Sequence, residues 1–201
     1  MTEKVNYRIF SIDPGLRNLG WSVIDYNIKK GTETVYAYGT LTAKSLLKAK
    51  TDEDKLVISE FGERYFVLSS LEIALNKMFS MYGPDYVCCE GAFAHKFIDA
   101  FSVLVLIIHL IRRLSHKHVK KNIVTIAPRE VKKCISNSGG SDKDTVQYCV
   151  LNNKDIIIRD TKANPIKLLT EHEADAIAIG HTFIKIYLDD LILAESVRAK
   201  N

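Results

Sequence analysis

The chain is poor in the residues that define several whole classes of protein. Only four of its 201 residues are cysteine, namely Cys88, Cys89, Cys134 and Cys149, and none forms a CxxC pair. The spacing argues against a zinc site and points instead to buried, reduced thiols in a reducing compartment. Long apolar runs are missing too. The longest, Val103 to Ile108, falls far short of the roughly 20 residues a membrane-spanning helix needs. Met1 to Arg8 is short and polar, without a secretory pattern. A soluble intracellular chain is therefore expected. Nor does one sign of charge dominate: 28 Lys and Arg stand against 24 Asp and Glu, a formal +4. That balance permits a nucleic-acid partner without arguing for one until the charges are located. With 47% hydrophobic and 26% charged residues, wholesale disorder is excluded, and the length suits one domain over 1–201 with a proper core.

The hydrophobic pattern predicts an opening meander. Tyr7 to Ile12, Trp21 to Tyr26 and Thr34 to Thr42 read as strands, with Asp13-Pro14-Gly15 breaking the first. Lys44 to Asp54 reads as a surface loop, and Leu56 to Met81 carries apolar residues at helical spacing up to Gly83-Pro84. Asp85 to Cys89 is a short apolar strand that delivers Glu90. Phe97 to Leu114 is helical by length but apolar almost all round, which calls for cover by the core on one side and a partner on the other. Asn122 to Ile126 reads as a fifth strand, and Pro128 to Cys134 and Asp142 to Leu151 as short helices. Asn152 to Leu169 reads mostly as loop, and Glu171 to Leu193 as one final helix. The order predicts an α/β fold with a central mixed five-stranded sheet, antiparallel β1-β2-β3 plus parallel β4 and β5, flanked by helices.

Three acids stand out against this frame. Asp13 sits where the first strand meets a Pro-Gly turn, a position suited to holding a metal or merely to starting a turn. Glu90 closes an apolar strand and is followed by small residues that would let another chain approach. Asp175 lies three residues past His172, so the two share one face of a helix, and Glu171 lies four residues before Asp175. Such oxygen-rich sets suit Mg²⁺ or Mn²⁺, and two ions about 4 Å apart can clamp the attacking and leaving oxygens of a phosphodiester. Basic residues crowd between Arg112 and Lys133: Arg112, Arg113, Lys117, Lys120, Lys121, Arg129, Lys132 and Lys133, with Lys143 beyond. They read either as a solvated face or as a phosphate track. Phe93 is a candidate for stacking on an unpaired base or for plain core packing. The remaining histidines show no ligand spacing.

From Arg8 to Lys185 the chain resembles the RuvC family of Holliday junction resolvases, within the RNase H-like nucleases. The carrying segments are Ile12-Asp13-Pro14-Gly15-Leu16-Arg17-Asn18-Leu19-Gly20-Trp21, then Pro84-Asp85-Tyr86 leading to Glu90 and Phe93, then His172 through Ala178. The resemblance implies an RNase H-like fold and a homodimer, paired through the 97–114 helix, that makes symmetric nicks in four-way junction DNA. It implies that Asp13, Glu90, His172 and Asp175 hold two metal ions, Mg²⁺ or Mn²⁺, and that Lys132 and Lys143 assist. It also implies that Phe93 works at the junction centre. His172 departs from the Asp that many members have there, and residues 27–60 and 152–170 depart from the compact bacterial pattern. A junction-binding dimer without catalysis, and a related nuclease acting on other branched DNA or RNA, are the alternative expectations.

Overall fold

The computed structural model describes residues 4–48, 51–92, 98–136, 139, 143–159 and 169–198. The meander forms as the alternation requires. Strand β1 (Asn6–Asp13) pairs antiparallel with β2 (Asn18–Asn27), and β2 with β3 (Thr32–Thr42). Strand β4 (Tyr86–Glu90) joins β1 in parallel, and β5 (Val124–Ile126) joins β4 in parallel. A sixth strand, β6 (Ile156–Ile158), pairs in parallel with β3 at the far edge. The sheet order is β5-β4-β1-β2-β3-β6, so the expected five strands become six while the α/β class holds. Three isoleucines in a row carry no alternation, and only β3 makes them a strand.

Successive side chains of a strand point to opposite faces, and each face of β1 has its own core. Phe10 and Ile12 pack with Val23 against Leu71 and Phe79 of α2 (Asp52–Tyr82) and Ile107 of α3 (Ile98–His118). Ile9 packs on the other side with Ile24, Val131 of α4 (Pro128–Ser136), Val146 of α5 (Lys143–Asn152) and Ile177 and Phe183 of α6 (Glu171–Ile186). Helix α6 can lie close on the sheet because Gly180 has no side chain: a Cβ there would stand 2.6 Å from Ile24 Cδ1 and 2.8 Å from Ser11 Oγ.

Several expected boundaries move. The expected loop over Lys44 to Asp54 is partly helical, because Thr42 caps α1 (Ala43–Leu46) and Thr51 opens α2 with a capping box to Asp54. Helix α2 is also interrupted: Gly62 has φ 83°, and the chain changes direction there. The expected final helix is two, α6 and α7 (Leu188–Arg198), divided at Tyr187. Among the described residues, helix α3 is covered by the core on one side, and Ile98, Val105 and Leu106 are 81%, 45% and 51% exposed. Cys88 and Cys89 are buried as expected, whereas Cys134 and Cys149 are only half-buried; all four are free thiols. No helix among the described residues is long and apolar enough to cross a membrane.

Candidate active site

The site is assembled at one edge of the sheet. Because Ile12 pairs with Cys89 in the parallel β1–β4 register, Asp13 and Glu90 leave adjacent strands at the same end. The Pro14-Gly15 turn then folds back tightly: a Cβ on Gly15 would stand 2.2 Å from the Asn18 carbonyl oxygen. The third wall is the start of α6. Thr170 caps it, accepting from the Glu173 amide at 3.3 Å, while Glu173 Oε2 accepts from the Thr170 amide at 2.8 Å. Glu173 is thus spent on the helix end, and His172 and Asp175 turn to the cleft.

Gly20 sets how closely that wall approaches. It pairs with Asp13 across β1 and β2, and a Cβ on it would stand 2.0 Å from the His172 carbonyl oxygen. With only hydrogen there, His172 Nδ1 comes to 3.0 Å from Asp13 Oδ2, and its Nε2 lies 3.4 Å from Glu171 Oε1. The result is a cleft of about 280 Å³ lined by Asp13, Gly15, Asn18, Glu90, Lys132, His172 and Asp175, among others. The three carboxylates are the hard oxygen donors that Mg²⁺ and Mn²⁺ take, and one imidazole stands beside them. Among the described residues, no three His, Cys, Asp or Glu side chains converge tightly enough to share one ion. The acids stand on separate walls of the cleft.

A family sequence model described as "Crossover junction endodeoxyribonuclease RuvC" matches residues 9–183. The chain belongs to the RuvC family. It is 27% identical over 186 residues to the RuvC of Wolbachia sp. subsp. Brugia malayi, covering 89% of this chain and 95% of that one. It is 28% identical over 177 residues to the RuvC of Parvibaculum lavamentivorans, covering 88% and 85%. The fold is similar to that of T. thermophilus RuvC solved in complex with Holliday junction substrate, with a TM-score of 0.62 at 16% identity over 88% of this chain and 92% of that one. Asp13, Glu90 and the start of α6 all lie inside the stretch that the RuvC model matches.

The basic residues divide into two groups. Lys132 lines the cleft, and Arg129 and Lys133 lie exposed on the same short helix, α4. Lys143 opens α5, whose Val146 also lines the cleft. Arg112, Arg113, Lys117, Lys120 and Lys121 instead line a separate groove of about 870 Å³ with Glu72 and Asn76 of α2. Lys121 sits 3.8 Å over the ring of Tyr86, the first residue of β4, whereas Glu90 is its last. At about 3.3 Å per residue that puts Lys121 at the end of β4 away from Glu90, roughly 13 Å along the strand. The sequence presents one basic run, and the fold divides it between the cleft and a separate groove. Phe93 lies outside the described residues.

Two cations escaped the sequence reading. A second cleft, of about 510 Å³, shares Gly15, Asn18 and His172 with the first and is lined by Arg17 and Arg64 over an apolar floor of Leu16, Val103 and Leu104. Arg17 lies inside the strand-turn-strand segment, its one available signal. Arg64 comes from α2 just past the Gly62 break, a position that no local pattern marks.

Proposed function

We propose that residues 1–201 form one nuclease domain that resolves four-way DNA junctions by paired, symmetric phosphodiester hydrolysis. One observation carries the reading: Asp13, Glu90, His172 and Asp175, from three separate elements, line a single cleft with Lys132, inside the stretch that the RuvC model matches. A T. thermophilus relative of similar fold has been solved on a Holliday junction substrate, which supports the same substrate class here.

Asp13, Glu90, Asp175 and His172 would hold two divalent ions, Mg²⁺ or Mn²⁺. When bound, such ions supply charge for the leaving oxygen and make water a competent nucleophile at neutral pH. The protein's own contribution is position and charge. Asp13 orients the attacking water in line with phosphorus, on the side away from the 3′ oxygen, so that cleavage yields a 5′-phosphate and a 3′-hydroxyl. His172, hydrogen-bonded to Asp13, fixes that carboxylate's rotamer. Lys132, with Lys143 at the start of α5, offsets negative charge gathering on the phosphoryl oxygens. Arg17 and Arg64 hold the backbone of the strand beside the scissile phosphate, and Arg129 and Lys133 its other flank. Pairing of two copies through Ile98, Val105 and Leu106 of α3, exposed on the structure's surface, would give two cuts related by a two-fold axis.

The test is a synthetic mobile four-way junction incubated with the purified chain and Mg²⁺ or Mn²⁺. Paired nicks, symmetric across the junction, are expected, and Asp13→Asn should bind the junction without cutting it. Absence of nicks with either ion, or undiminished cutting by Asp13→Asn, would overturn the proposal.

A further inference from the structure

The basic residues that stand apart from the cleft face a groove of their own. Helices α2 and α3 border it, and the Lys120–Asn122 loop that leads into β5 closes one end of its 870 Å³. None of its lining residues also lines the cleft of Asp13 and Glu90.

The positive charge in this groove is only partly answered. Arg113 lies 3.4 Å from Glu72, and Lys121 lies 2.7 Å from Glu195. Lys117 has a neutral partner, donating to Asn76 Oδ1 at 2.8 Å. Arg112 and Lys120 are exposed and form no ion pair among the described residues. Three cations thus line the groove without a carboxylate. Their crowding is felt next door at His118, whose ring burial, and then the like charges of Lys117 and Lys120, pull below its ordinary range. The dipole of α3 favours cations in its last turn, which accounts for Lys117. It does not account for Arg112, which lies more than one turn earlier.

The groove also has an apolar part. Ile73 of α2 is 71% exposed among these cations, and the buried Leu114 of α3 lies at the floor. A phosphate backbone gains nothing from an exposed isoleucine, whereas an apolar side chain flanked by carboxylates does. Nor does the groove continue the cleft, since Lys121 lies at the end of β4 away from Glu90.

We propose that the groove between α2 and α3 is a docking site for an acidic, amphipathic helical segment of a partner protein. Its carboxylates answer Arg112, Lys117 and Lys120, and an apolar side chain between them covers Ile73. Two neighbouring helices offer the trough that a third helix fills, with its anchors spaced i, i+3 and i+4. The charges steer and orient the segment, and the isoleucine contact adds burial. The site does not depend on the nuclease reading.

The probe is a fluorescein-labelled synthetic peptide of about four helical turns, built from Glu, Ala and Leu with its leucines at i and i+4. Anisotropy on the intact chain should show saturable binding, at least about tenfold tighter than for a scrambled peptide of the same composition, whose leucines share no face. Lys117→Glu and Ile73→Ser should each weaken it about tenfold. Both positions are exposed, so the circular dichroism spectrum should not change. A labelled DNA duplex and light scattering of the chain alone test the other occupants. Duplex affinity that falls with Lys117→Glu but not with Ile73→Ser would make the groove a phosphate track and overturn the proposal. Self-association abolished by both variants would make a second copy the occupant, with the same consequence. Equal binding of the ordered and scrambled peptides, or none, would overturn it as well.

Discussion

His172 and Asp13, 159 positions apart in the chain, meet at 3.0 Å through Nδ1 and Oδ2. The contact exists because three local choices agree. A breaker stops β1 at Asp13, a capping box starts α6 at Glu171, and a glycine opposite Asp13 lets the helix end reach the sheet. Each choice can be altered separately.

Gly20→Ala tests the third. The added methyl would meet backbone, the His172 carbonyl at 2.0 Å, and backbone cannot rotate away as a flexible side chain can. The start of α6 must move, at a cost of about 1–3 kcal/mol. Thermal unfolding should fall accordingly. Junction nicking should fall further than junction binding, because displacement separates His172 from Asp13 without touching the arginines. Unchanged nicking would show that the contact does not position the acid.

At position 172, an oxygen donor and an apolar residue should behave differently. If the side chain serves the ions and the Asp13 rotamer, His172→Asp keeps a hard donor at the same helix face. It should retain metal-dependent nicking within about tenfold of the parent. His172→Ala removes the donor and frees Asp13, and should lose at least about 100-fold. Titration of the rate with Mn²⁺ separates lost metal affinity from lost turnover. Equal losses in both variants would exclude a ligand role.

Strands β1 to β4 and the carboxylates at their ends were readable because alternation and breakers are local signals, and a Pro-Gly turn after an apolar run marks where a strand must stop. That His172 and Asp175 share one face of α6 also follows from helical spacing, whereas the capping box from Thr170 to Glu173 was found only in the structure. What escaped depends on tertiary partners. Ile156–Ile158 becomes a strand only because β3 offers it an edge. The run from Arg112 to Lys133 reads as one track because sequence adjacency hides the helix axis that separates its halves. Arg17 and Arg64 come together only after α2 breaks at Gly62 and returns past the first turn.

The division of the basic residues makes a charge-specific prediction. Arg17→Ala and Arg64→Ala should each weaken junction binding and lower the slope of log affinity against log salt by about one phosphate contact. Lys117→Ala changes the distant groove, where its ammonium holds Asn76 Oδ1 at 2.8 Å. It should leave both affinity and slope unchanged. Filter binding or fluorescence anisotropy over a range of salt concentrations measures all three variants. An effect of Lys117→Ala as large as that of Arg64→Ala would mean that the DNA path runs over the far groove and not beside the cleft.

The exposed stripe on α3 leads to the last prediction. Ile98, Val105 and Leu106 lie 81%, 45% and 51% exposed, on the side of the helix turned away from its core partners Val103, Ile107 and Ile111. Leaving such a stripe to water forgoes the burial that drives association. A second copy of the same helix is the partner that the proposed symmetric cutting calls for. Leu106→Glu would bury a carboxylate without a counter-charge at that contact, costing about 3–5 kcal/mol per unpaired charge. The stripe faces away from both core clusters, so the fold itself should survive, with an unchanged circular dichroism spectrum. Light scattering should then report a dimer for the parent and a monomer for the variant. On a cruciform plasmid the parent should make both cuts within one binding event and release linear DNA, whereas the monomer should accumulate singly nicked circles. A dimeric Leu106→Glu variant that still linearises the plasmid would move the interface to another face.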